Sequence, residues 1–407
     1  MLSDSDFRFG LQQIDGRQRT RDKLPTFATI SGWLYPPRLN LEQCSSERTA
    51  RFKAELLAAC HVLIDATGGF GVDTFFMSEH AQTTHYFEQN ADLAAIAEHN
   101  FCLAGKSIVC HAEPFDVDVL CNLVGGKSEE SRAILEPLSG VLYLDPARRD
   151  SHGGKVFRLE DCTPNVIEIV RYVQRNCPNL RVLLKLSPML DIRQAVLRLG
   201  GNWDIYILSI SNEVKELLLL SGGTNTIHAV SLDGFATMHG QSANMENLQA
   251  AYAYTFSFTP VEEQSAEALF CPADQSLQGW YLYEPDAAIL KAGAFRLLSA
   301  RFGLLKAAPN THLYLSPSHP LTLSPSHPLT PSPSNPLPPG RTWQIIGVYA
   351  RAKEVQRALT RANVLARNYV LPADVLRKQL RLKDGGDDYI IGCHIAAKPL
   401  LLHCRRI

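Results

Sequence analysis

From Val62 to Thr74 the chain reads Val-Leu-Ile-Asp-Ala-Thr-Gly-Gly-Phe-Gly-Val-Asp-Thr, an apolar strand that ends in a carboxylate and turns through three glycines into a helix. Few folds admit that order. Glycines at Gly68, Gly69 and Gly71 let the backbone approach a ligand with no Cβ in the way, and the helix that follows offers unpaired N–H groups at its start. A second carboxylate, Glu88, closes the next predicted strand, where it can take both hydroxyls of a ribose. A third, Asp145, closes a later strand and is followed by Pro146. In a parallel sheet, three acids at the C-terminal ends of three strands converge on one crevice.

Short apolar runs alternate with helical stretches from residue 61 onward, the pattern of an α/β sheet. Strands are expected at 61–65, 84–88, 107–111, 141–145, 181–186, 204–210 and 226–232, with helices at 72–79, 92–104, 164–175, 192–199 and 213–219. That makes one Rossmann-like, doubly wound domain of seven strands with right-handed crossovers. A chain of 407 residues exceeds one compact core. Residues 1–53, arginine-rich and interrupted by Pro25, Pro36 and Pro37, read as a helical and irregular arm, and an amphipathic helix over 50–60 feeds the first strand. The sheet domain then spans 54–250, and a small α+β domain fills 251–407, with a helix opening at Asp286 and running through Leu297. Inside that domain the octapeptide Leu-Ser-Pro-Ser-His-Pro-Leu-Thr occurs twice from Leu315, followed by a degenerate third copy. Such a repeat cannot build a hydrophobic face, so 316–340 is expected to be a disordered loop insertion.

Composition narrows the setting. Hydrophobic residues at 45% and charged residues at 20% fit an ordinary soluble protein. No stretch approaches the roughly 18 to 20 apolar residues of a membrane helix, and the polar start lacks a signal-peptide core, so a cytoplasmic protein with no membrane partner is expected. Ten cysteines contain no C-x-x-C pair, which argues against a zinc ribbon and a disulfide scaffold; no metal is expected. The net charge of −1 hides an asymmetry, because residues 341–407 carry thirteen Lys and Arg against five acids. That tail points to a polyanionic partner, or else is a solvated basic face.

The sign of Asp65 discriminates between cofactors. A carboxylate three residues before the first glycine repels the pyrophosphate of a dinucleotide and attracts an ammonium, which disfavours an NAD-dependent oxidoreductase. S-adenosylmethionine carries an amino group and a sulfonium and no phosphate. The run from Asp65 to Gly71 with Asp73-Thr74, Glu88 and Asp145-Pro146-Ala147-Arg148 resembles the motifs of class I S-adenosylmethionine-dependent methyltransferases. Through the segments 42–50, 144–149, 160–164, 184–188, 285–286, 310–313, 367–368 and 383–386 the chain, apart from 316–340, is similar to bacterial methyltransferases with a THUMP-like domain at the C-terminus.

The resemblance implies roles. Asp65 would neutralise the methionine end of S-adenosyl-L-methionine, with Thr67, Gly68, Gly69, Phe70 and Gly71 beneath it. Glu88, with Gln89 beside it, would hold the ribose. His111, Ala112 and Asp116 would border the adenine, although His111 and Asp116 read equally well as capping or turn residues. Asp145, Pro146 and Arg148 would be catalytic, and Arg149, Lys185 and Ser187 would line the substrate pocket. Many enzymes that methylate exocyclic amines place an aromatic ring where this chain has Ala147 and Arg148; a guanidinium also stacks on a base or grips a phosphate. A cytosine-C5 mechanism would need a thiolate, and Cys162 sits beside Glu160 and Asp161, which raise its pKa. The expected function is direct methyl transfer to RNA, captured by the basic C-terminal domain. The alternatives are a small-molecule or protein methyltransferase of the same fold, or a non-catalytic RNA-binding protein.

Overall fold

The apolar runs at 60–65, 140–144 and 180–186 become strands because they are buried on both faces, as in parallel sheets covered by helices. The computed structural model describes residues 4–57, 59–125, 139–148, 159–233, 254–318 and 338–407. They form two compact units, Met1–Tyr206 with Glu216–Asn225, and Ile207–Lys215 with Thr226–Ile407.

In the first unit β1 (Cys60–Asp65) pairs in parallel with β2 (Ala81–Phe87) on one side and with β4 (Gly140–Leu144) on the other. β2 pairs in parallel with β3 (Val109–His111), and β4 with β7 (Leu180–Leu186). The short strands β5 (Ala147–Arg148) and β6 (Cys162–Thr163) form a separate antiparallel pair. Strand order therefore reverses at β1, between β2 and β4, which opens a crevice at the C-terminal strand ends. Asp65, Glu88 and Asp145 stand at those ends.

Two strands complete the order in an unexpected way. β8 (Trp203–Ile210) is followed by β9 (Glu213–Ser221), whereas a helix was expected over 213–219. Ser211 and Asn212 both have positive φ, 54° and 60°, and so make the two-residue turn of a hairpin. The run Leu217–Leu220 is buried at 4% exposure or less and pairs antiparallel with β7, with Leu218 opposite Lys185. Leucine's helix propensity yields to burial on both faces of a sheet. With β10 (Ile227–Ser231) and β11 (Thr255–Phe258) the sheet has, among the described residues, nine strands, ordered β11-β10-β8-β9-β7-β4-β1-β2-β3, and not the expected seven.

The N-terminal residues are part of the first unit's core. α1 (Asp4–Thr20), α2 (Pro25–Thr29) and α3 (Arg38–Gln43) precede α4 (Glu47–Leu56), which starts three residues earlier than expected because Ser46 caps it, accepting from Thr49 N at 3.3 Å. Phe27 stacks on Trp33 at 4.1 Å and meets Phe75 edge-on at 4.9 Å. Every residue of α5 (Val72–Met77), the helix after the glycine turn, is consequently buried.

The second unit contains β10 and β11, paired antiparallel, and a seven-stranded sheet ordered β13-β14-β12-β15-β18-β17-β16. These strands are β12 (Tyr281–Pro285), β13 (Leu305–Ala308), β14 (Thr311–Ser316), β15 (Gly340–Tyr349), β16 (Asn363–Arg367), β17 (Asp388–Ile395) and β18 (Lys398–Arg406). Only β16 and β17 pair in parallel. Asp286 caps the helix Ala287–Ala292 through Ala288 N at 2.8 Å, but Gly293, at φ +81°, ends it, and a second helix runs from Phe295 to Phe302. Most of the proline-rich repeat, 319–337, lies outside the described residues. No helix among the described residues is long and apolar enough to cross a membrane.

Candidate active site

The turn after β1 is held from both sides. Thr67 N donates to Asp65 Oδ1 at 3.0 Å, and the Thr74 hydroxyl donates to Asp65 Oδ2. Asp65 is 1% exposed, and burial, only partly offset by those two bonds, raises its pKa to about 7. As placed, its carboxylate holds the loop rather than opening onto the crevice. Gly68 lies against Tyr86, whose ring would stand 2.0 Å from an added Cβ. Gly69 is different: at φ +55° it faces open space, with no atom nearer such a Cβ than Thr67 O at 3.9 Å. Gly71, at φ +78°, starts α5 against Phe101, and Phe70 is buried.

Glu88 is half-buried just beyond β2. Its Oε2 accepts from Gly69 N at 3.0 Å and its Oε1 from Asn90 N at 2.8 Å. Each oxygen has a second lone pair for a ligand hydroxyl, and Gln89 is exposed beside it. His111 stacks on Phe87 at 4.2 Å, its Nε2 lies 3.2 Å from His85 Nδ1, and Ala112 is exposed. Burial lowers the pKa of both histidines. Asp116 accepts from Val119 N at 2.9 Å at the start of the helix Val117–Gly125, the geometry of a cap.

Asp145 and Lys185 form the other wall. Lys185 Nζ lies 2.7 Å from Asp145 Oδ2, and their side chains are 12% and 38% exposed. Asp145 N donates to Thr67 Oγ1 at 2.6 Å, tying this strand end to the glycine turn. Burial would pull the Lys185 pKa down, but Asp145, Glu216 and Asp73 hold it well above the ordinary value. Pro146 is half-buried, and Ala147 enters β5 opposite Thr163. Cys162 is 4% exposed in β6, a packed position unlike that of a nucleophile. Ser187 is engaged in its own turn, accepting from Met189 N at 3.3 Å. The Arg148 side chain and Arg149 lie outside the described residues.

Beneath this pair lies a polar cluster. Lys53, 0% exposed, is 3.0 Å from Asp73 Oδ1 and 2.5 Å from Glu216 Oε2. Ser45 and Tyr143 both donate to Asp73 Oδ2, at 2.7 and 2.6 Å. Burial pushes the Asp73 pKa up, but Lys53 and Lys185 outweigh it and hold the carboxylate below its usual range.

Known proteins share this architecture. Residues 340–406 match the THUMP-like domain family, and residues 281–321 match a ferredoxin-like domain. Two strains of Mycobacterium tuberculosis carry a relative 26% identical over 381 residues, 91% of this chain and 87% of theirs, described as an uncharacterised S-adenosylmethionine-dependent methyltransferase. A crystal structure from Porphyromonas gingivalis, of a protein classed provisionally as a methyltransferase, superposes with a TM-score of 0.79 at 27% identity, covering 100% of this chain and 92% of that one. The chain thus carries a THUMP-like domain at residues 340–406 and is similar over nearly its whole length to S-adenosylmethionine-dependent methyltransferases.

In this methyltransferase, reading the residues singly missed Ser45, Lys53, Tyr143 and Glu216. Ser45 lay within a recognised segment, 42–50, but nothing local tied it to Lys185, 140 residues away. Glu216 was hidden by the helix expected over 213–219.

Proposed function

We propose that this methyltransferase holds S-adenosyl-L-methionine over the glycine turn and transfers its methyl group directly to a nitrogen or oxygen of RNA. The observation that supports this is that the glycine turn, bonded through Gly69 to Glu88, is bonded through Thr67 to the strand end bearing Asp145, with which Lys185 pairs. The residues fit that cofactor. The open side of Gly69 leaves room for a ligand, Glu88 has free lone pairs for a ribose, and the Phe87–His111 stack offers an aromatic edge to a base. The carboxylates that open on the crevice, Glu88 and Asp145, suit a cationic ligand and would repel a pyrophosphate.

The cofactor, when bound, supplies a methyl group on a positively charged sulfur. The remaining chemistry falls to the chain. Asp145 accepts a hydrogen bond from the nucleophile through the oxygen that Lys185 leaves free, so that a lone pair is aimed at the methyl carbon. Lys185 keeps the carboxylate in one rotamer, and Asp65 and Thr67 keep the turn in place. Asp145 then receives the proton that the methylated atom sheds. Most of the acceleration comes from positioning.

The second unit supports RNA as substrate through its THUMP-like match and its charge. Lys353, Arg357, Arg361, Lys378, Arg381 and Lys383 are exposed, and among the described residues none shows an ion-pair partner. In this division of labour residues 54–250 transfer the methyl group and 251–407 capture the polynucleotide.

Titration with S-adenosylhomocysteine tests the cofactor. Saturable binding is expected, weakened about tenfold or more by Glu88→Ala, since hydrogen bonds to a charged group contribute roughly 1.5–3 kcal/mol. Mass spectrometry of nucleosides from cells with and without the gene tests the substrate, and an unchanged set of RNA modifications would remove RNA from the reading.

A further inference from the structure

Ser45 belongs to the chain segment before α4, far in sequence from the strand ends, yet its hydroxyl is fully used at the floor of the crevice. It donates to Asp73 Oδ2 at 2.7 Å and accepts from Lys53 Nζ at 3.0 Å and Lys185 Nζ at 3.1 Å. One proton and two lone pairs are all a hydroxyl has. Ser45 is 5% exposed, so no solvent stands in for a lost partner.

The charges around it are unbalanced. On the inner side Asp73 and Glu216 present two carboxylates to one ammonium, that of Lys53, which leaves a residual negative charge. On the crevice side Lys185 pairs with Asp145. Lys185 is therefore drawn both ways, and the Ser45 oxygen is the neutral acceptor that keeps it at the crevice side.

We propose that Ser45 is a positioning residue, which acts through Lys185 to fix the carboxylate of Asp145 for the nucleophile. Without the hydroxyl, the ammonium moves inward to the surplus carboxylate, and Asp145 loses the bond that selects its rotamer. The role rests on the methyl-transfer reading for its catalytic consequence, but its geometric consequence stands without a substrate.

The test is Ser45→Ala, a change of nearly equal volume. In a crystal structure of the variant the Lys185 Nζ to Asp145 Oδ2 separation is expected to open from 2.7 Å to beyond hydrogen-bond range. Transfer to bulk RNA from cells lacking the gene should lose about 10- to 100-fold in kcat, with KM and S-adenosylhomocysteine affinity within about twofold of the parent. Ser45→Thr, which keeps the hydroxyl, should recover most of the rate. If the alanine protein does not accumulate, Ser45→Cys tests the same position with a weak acceptor. An intact Lys185–Asp145 pair in the variant, or a threonine variant as slow as the alanine one, overturns the proposal. A wild-type protein that binds S-adenosylhomocysteine and methylates no RNA overturns the RNA reading instead, and the variant's structure still decides the role of Ser45.

Discussion

The backbone N–H of Asp145 donates to the Thr67 hydroxyl at 2.6 Å, joining residues 78 apart in the chain. One residue follows β1 by two positions and the other follows β4 directly. The glycine turn and the strand end bearing Asp145 are thus tied to each other, as the proposed in-line transfer between two ligands requires.

Thr67→Val removes the acceptor and keeps the shape. A partly buried N–H is left without a partner, at a cost of about 1–3 kcal/mol. Urea unfolding should show that loss, and calorimetry should show weaker S-adenosylhomocysteine binding, with Thr67→Ser close to the parent in both.

The neighbouring glycines separate stability from ligand access. Gly68→Ala drives a Cβ into the Tyr86 ring, 2.0 Å away, and should cost about 1–3 kcal/mol as overpacking, lowering Tm. Gly69→Ala meets only backbone strain at φ +55°, about 1 kcal/mol, because its side is open. Its protein should fold and lose cofactor affinity, since the methyl group fills the ligand's approach. Equal affinity in Gly69→Ala and the parent would place the ligand elsewhere.

Lys53→Met leaves Asp73 and Glu216 buried without their cation. Breaking such a cluster on one side costs about 3–5 kcal/mol. Adding Glu216→Gln should return part of it, because one stranded charge is gone. The comparison of single and double variants by urea unfolding measures that coupling.

Asp65 gives the protein a titration near neutrality. Burial raises its pKa from the ordinary 3.8 to about 7, so its contribution to stability is fully present below about pH 4 and is lost as pH rises through 7. The full shift corresponds at most to something on the order of 4 kcal/mol. Asparagine resembles the neutral acid, accepting from Thr67 N and donating to Thr74. Relative to the parent, Asp65→Asn should therefore gain stability from pH 5 to about pH 7 and level off above it. A difference that stays flat across that range would show that Asp65 is ionised throughout.

Sequence alone determined what rests on local chemistry. Apolar runs at 60–65, 140–144 and 180–186 are strands because their continuous hydrophobicity demands cover on both faces, and the glycines at 68 and 71 turn the chain where a Cβ would meet the Tyr86 or Phe101 ring, while Gly69 supplies a positive φ. The three acids at the strand ends were legible for the same reason. The tertiary structure decided whatever depends on a partner distant in the chain. The leucines of 217–220 are a strand only because β7 lies beside them, and Asp65 turns inward only because Thr67 and Thr74 converge on it. The floor beneath Asp145 follows the same rule. Lys53 meets Glu216 across 163 residues and Ser45 meets Lys185 across 140, pairings set by desolvation and charge that no local pattern encodes.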